Sequence, residues 1–167
     1  MTPSMCRLLA LDIRATRVGY AAFEVPQKLL GFGISRMNPR GERLAAVIKR
    51  FRPSTIVVRE LSAGRNKRRY HALALKSVVA RAQSLSIPVA AVSEASLKHF
   101  LRQLKARNKY EMAAIFASWF PDLRWKVPTT RKCYQPEPWT MQIFDAIAVA
   151  VVYLANEHKF GTDNQIL

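Results

Sequence analysis

The chain has 167 residues, enough for one domain to bury a core without disulfide or metal staples. Apolar residues make up 50%, which argues against a disordered chain, and a formal net charge of +16 makes a polyanion, nucleic acid first, the expected partner. Two distant cysteines, Cys6 and Cys133, support neither a disulfide framework nor a zinc ribbon, and the most apolar run, residues 141–154, is too short for a bilayer and carries Gln142 and Asp145.

In chain order, residues 6–11 form a compact apolar run ending at Asp12, which predicts a buried strand. Residues 17–25 and 29–35 follow across short connections and predict a three-strand meander. Leu44, Val47, Ile48 and Phe51 have helical spacing, giving a helix over 41–51 that Pro53 stops. The β-branched run 55–58 predicts a fourth strand ending at Glu60, and residues 66–86 a long helix. Residues 88–92 predict a fifth strand, with Ser93 as N-cap of a helix over 94–104. A helix over 109–120 ends at Pro121, and a proline- and aromatic-rich loop then leads to the last helix, 139–157.

Three meandering strands followed by alternating helices and strands predict an α/β domain: a mixed five-stranded sheet with helices on both faces, in the element order of the ribonuclease H-like fold. Residues 1–158 are expected to form this single domain and 159–167 a polar, mobile tail. No apolar leader precedes Asp12, so the expectation is a cytoplasmic protein without a membrane partner.

With only 11 acidic residues, their placement carries information. Asp12 and Glu60 end apolar strands, and Asp145 lies inside the most apolar helical segment. A buried carboxylate is costly unless it is paired, hydrogen-bonded or bound to a metal. Neutralisation by neighbouring Arg14, Arg17 or Arg59 is one outcome. The other is convergence into a hard-oxygen site suited to Mg²⁺ or Mn²⁺, of the kind that hydrolyses phosphodiesters through two ions.

Four segments carry a more specific resemblance. LALDIRATRVGYAAFE (residues 9–24) resembles the first motif of the RuvC-type Holliday junction resolvases, and IVVRE (56–60) resembles their fourth strand with its terminal Glu. SEASLKHFLRQLKARNKYEMAAIFASWFP (93–121) and FDAIAVAVVYL (144–154) are similar to the family's lysine-bearing segment and final helix. The resemblance implies that Asp12, Glu60 and Asp145 bind two divalent ions, that Lys109 stabilises the phosphate or positions the attacking water, and that Lys98 contacts the phosphate backbone. Gln142 stands where the family carries a further acid, so the ligand set implied is Asp12, Glu60, Asp145 and Gln142, with Glu137 able to substitute from the preceding loop. The family's aromatic wedge after the strand-four Glu is also missing: Leu61, Ser62 and Ala63 follow, and Tyr70 is the nearest aromatic.

Arg65, Lys67, Arg68 and Arg69 crowd beside Tyr70, which could stack on a base. Lys98, Lys105 and the cations around them form a second basic set, and Arg124, Lys126, Arg131 and Lys132 a third. Such sets offset the repulsion between an acidic site and phosphate. No glycine-rich phosphate loop follows Asp12, which argues against an ATPase on the same strand arrangement. The expected function is therefore a Mg²⁺-dependent endonuclease cleaving branched DNA as a homodimer, with Leu75 and Val79 as candidate dimer contacts. The alternatives are a YqgF-like ribonuclease on structured RNA and a nucleic-acid-binding module on a nuclease fold that has lost activity.

Overall fold

A computed structural model describes residues 6–37, 41–60 and 68–157, with backbone alone for 68–70. The first three strands, β1 (Arg7–Ile13), β2 (Arg17–Glu24) and β3 (Lys28–Arg36), pair antiparallel as a meander. Helix α1 (Glu42–Phe51) returns the chain to β4 (Thr55–Arg59), which pairs parallel with β1. Helix α2 (Arg68–Ser84) leads to β5 (Val89–Val92), parallel to β4. Helices α3 (Glu94–Gln103), α4 (Lys109–Trp119) and α5 (Met141–Asn156) complete the chain. The sheet order is β3-β2-β1-β4-β5, so β1 is central.

Strand alternation assigns the two cores. Leu8 and Ala10 of β1, with Ala21, Phe23 and Val57, meet α3, α4 and α5. Leu9 and Leu11, with Val18, Ile56 and Val58, meet α1 and α2 on the other face. The expected mixed sheet with helices on both faces is the one observed. Helix α5 is buried on nearly every side, which suits a segment whose only polar interior side chains are Gln142 and Asp145.

Ser93 caps α3 as expected, and Asn108 caps α4, a cap that the sequence pattern does not single out. The Ser93 hydroxyl accepts the Ser96 N–H, and the Asn108 side chain accepts those of Tyr110 and Glu111. One element escapes the sequence pattern: Pro121–Lys126 forms a 3₁₀ turn rather than irregular loop, anchored by the buried Leu123. Among the described residues no helix is long and apolar enough to cross a membrane.

Candidate metal and nucleic-acid site

Asp12 lies near the carboxyl end of β1, and alternation turns it to the α5 face with Leu8 and Ala10. Its partner across the antiparallel ladder is Gly19. A Cβ at Gly19 would stand 2.4 Å from the Gln142 carbonyl oxygen and 2.8 Å from its Cγ, so α5 rests directly on this bare backbone. That close approach lets the Gln142 amide nitrogen donate to the carbonyls of Asp12 at 2.9 Å and Arg17 at 3.2 Å. One helical turn inward comes Asp145, 7% exposed against 4% for Asp12.

Arg14, in the turn between β1 and β2, gathers the acids. Its Nε lies 3.1 Å from Asp12 Oδ2, and its terminal nitrogens lie 2.8 Å from Asp145 Oδ2 and 3.1 Å from Glu137 Oε2. Lys109 closes the arrangement, with Nζ 3.0 Å from both Asp145 Oδ2 and Glu137 Oε1. A lysine in the first turn of a helix opposes the helix dipole, and here two carboxylates compensate it.

Burial, and then the Asp145 charge, push the Asp12 carboxyl above the ordinary range, although Arg14 opposes them. Burial would also lower the Arg14 pKa, but Asp12 and Asp145 hold it above the usual value. Burial would raise Glu137, but Lys109 and Arg14 keep it below the usual carboxylate range.

Three carboxylates thus share two cations, and burial leaves Asp12 under-compensated. Hard oxygens with surplus negative charge are the donor chemistry that Mg²⁺ or Mn²⁺ takes, so the residues fit such an ion. Among the described residues, no three acid, imidazole or thiol groups are preassembled to hold a metal. The Arg14 guanidinium bonds Oδ2 of both Asp12 and Asp145, so an ion at these carboxylates would compete with it for those oxygens.

The sequence-predicted residues divide into those the cluster contains and those it does not. Asp12, Asp145 and Lys109 meet, and Glu137 joins them from the loop before α5. Glu60 is not brought into these contacts. It is exposed, one residue beyond β4, and alternation turns Arg59 rather than Glu60 toward the face that carries Asp12. Gln142 is buried at this site, with its amide nitrogen committed to backbone carbonyls. Lys98 is largely exposed, 3.1 Å from Glu94, and Lys105 is exposed. Arg65 and Lys67 lie outside the described residues, as do the side chains of Arg68, Arg69 and Tyr70 and the tail 159–167. Leu75 and Val79, the candidate dimer contacts, are both half-buried, and Leu75 also packs against the α1–α2 core. Arg14, expected only as one of three nearby cations that could neutralise an acid, proves to bridge Asp12, Asp145 and Glu137 together, which the residue pattern did not show.

No family model and no curated protein matches the chain. Solved structures do. Thermus thermophilus RuvC in complex with a Holliday junction substrate aligns with a TM-score of 0.65 at 21% identity, over 92% of this chain and 96% of that one. Another Thermus thermophilus RuvC structure gives 0.63 at 21% identity, over 92% and 97%. The yeast mitochondrial Holliday junction resolvase gives 0.62 at 10% identity, over 93% and 80%. The strand order, the helices on both faces and these alignments agree: the chain has the fold of the RuvC-type Holliday junction resolvases.

Proposed function

We propose that the chain is a divalent-metal-dependent endonuclease that cleaves branched DNA as a homodimer. One observation carries this reading. Asp12 and Asp145, 133 positions apart in the chain, are both buried and share one guanidinium at the carboxyl ends of the central strands. That end of a parallel sheet is where α/β proteins bind their ligands. Asp12 and Asp145 would hold the ion, with Glu137 beside them; Glu60, exposed at the end of the neighbouring strand, would have to turn toward them to join. Mg²⁺ or Mn²⁺ bound there supplies Lewis acidity toward a phosphodiester and its attacking water.

The chain's own groups do the rest. Lys109 places an ammonium between Asp145 and Glu137, beside the oxygens that would face the scissile phosphate. Displacement by an ion would free Arg14, 38% exposed at its side chain, to meet a phosphate oxygen. Lys98, Lys105, Arg65, Lys67, Arg68 and Arg69 would supply positive charge toward a long anionic substrate. Opposed nicks in a four-way junction require two such sites related by a twofold axis.

A second reading, a binding domain that no longer cleaves, is favoured by Arg14 itself, because a guanidinium bridging Asp12 and Asp145 neutralises the acids without an ion. The test is incubation of matched four-way junctions of DNA and RNA with Mg²⁺ or Mn²⁺. Symmetric nicks in the DNA, abolished by Asp145→Asn while binding persists, support the proposal. Binding without cutting assigns the second reading, and cutting of RNA alone assigns a YqgF-like ribonuclease.

A further inference from the structure

We propose that Trp125 and Trp139, with Lys126 between them, form a stacking platform for unpaired bases beside the acid cluster. Both indoles face water, at 73% and 53% exposure, in a protein that otherwise buries most of its large apolar side chains. The Lys126 ammonium lies 3.9 Å from the centre of the Trp125 ring and 5.2 Å from that of Trp139, so one cation serves both rings. Tyr134, 74% exposed, repeats the pattern with Lys132 at 5.9 Å from its ring centre.

The occupant follows from charge and position. Aromatic faces interleaved with lysines suit a strand that presents both bases and phosphates, since every base offers a flat face and every linkage an anion. Glu137 stands two residues before Trp139 and is bound by both Arg14 and Lys109, which ties this loop to the acid cluster. Bases unstacked at a branch point next to that cluster would meet the indoles. The platform thus offers aromatic contact that the segment after Glu60 lacks in residues 61–63, Leu-Ser-Ala. This inference rests on the nucleic-acid part of the proposed function and not on cleavage.

The experiment uses the full chain and a four-way DNA junction with 2-aminopurine at the branch point, in EDTA so that no cutting intervenes. Anisotropy reads affinity and 2-aminopurine fluorescence reads base environment. Trp125→Ala/Trp139→Ala is expected to weaken binding about tenfold or more and to remove the fluorescence change. Trp125→Phe/Trp139→Phe is expected to stay within about threefold of the parent chain, because a smaller aromatic face still stacks. Leu85→Ala, at an exposed position just past the end of α2, serves as the surface control. An alanine double variant that is folded, binds within about twofold of the parent and gives the same fluorescence change overturns the platform. So does loss of affinity for anionic phosphatidylserine vesicles with junction binding intact. A parent chain that stacks the probe yet never cuts with Mg²⁺ or Mn²⁺ refutes the nuclease reading alone. Normal cutting and probe response in the alanine variant refute the platform alone.

Discussion

The side-chain amide of Gln142 donates to the backbone carbonyl of Asp12 at 2.9 Å, joining the last helix to the strand that carries the site's first acid. The same nitrogen reaches the Arg17 carbonyl at 3.2 Å, so the side chain bridges both ends of the β1–β2 turn from which Arg14 projects. A carboxylate cannot make these bonds, because it has no proton to donate at neutral pH. Placing an acid there should therefore weaken the fold. Gln142→Glu is expected to cost about 3 kcal/mol, because it sets a buried charge against two carbonyl oxygens. Urea unfolding checks this; an unchanged midpoint would show that the amide is not a structural tether.

Gly19 sets how near α5 can come. Its missing Cβ would lie 2.4 Å from the Gln142 carbonyl oxygen, which is backbone and cannot swing aside. Gly19→Ala is expected to cost about 2 kcal/mol by overpacking and to weaken Mn²⁺ binding, because Asp145 moves away from Asp12 with its helix. Thermal unfolding with and without Mn²⁺ reads both effects, and a parent-like metal response would separate helix position from ion binding.

The fold was largely legible because its signals are local. Apolar runs of strand length end at Asp12 and Glu60, Ser93 caps a helix, and Asp145 is the lone charge in an apolar helix. Gly19 lies in the segment that carries the resemblance, and its physical reason is that Gln142 rests on its bare backbone. Arg14 was legible only as one of three possible counter-ions, because its bonds to Glu137 and Asp145 span more than a hundred residues. Glu60 illustrates the converse: position at a strand end does not fix the direction of a side chain, and the pleat turns Arg59 toward the Asp12 face.

The acids should respond to pH with opposite signs. Asp12 sits above its ordinary range, so it favours the folded state while protonated, and that stability is lost as pH rises from the usual aspartate range through the raised value. Glu137 sits below its ordinary range, so its stability is present above the usual glutamate range and is lost as pH falls through the lowered value. At pH 7 without metal, Asp12→Asn is therefore expected to raise Tm and Glu137→Gln to lower it. The Glu137→Gln deficit should vanish in acid. Calorimetric scans across pH check both, and shifts of the same sign at neutral pH would contradict the electrostatics.

Arg14 competes with any ion for Asp12 and Asp145. Arg14→Gln is expected to lower the Tm of the metal-free protein and to enlarge the rise that Mn²⁺ produces, because the ion no longer has to displace a guanidinium. Differential scanning fluorimetry over a Mn²⁺ series reads both. A variant whose response to Mn²⁺ is smaller than the parent's would show that Arg14 assists the ion.

Titration calorimetry of Mn²⁺ into the metal-free chain tests most directly whether the buried acids form a metal site. The parent is expected to give saturable binding that Asp12→Asn and Asp145→Asn each abolish while both variants remain folded. Identical isotherms for parent and variants, or no heat from a folded parent, would contradict the account and leave Arg14 as the acids' permanent counter-ion.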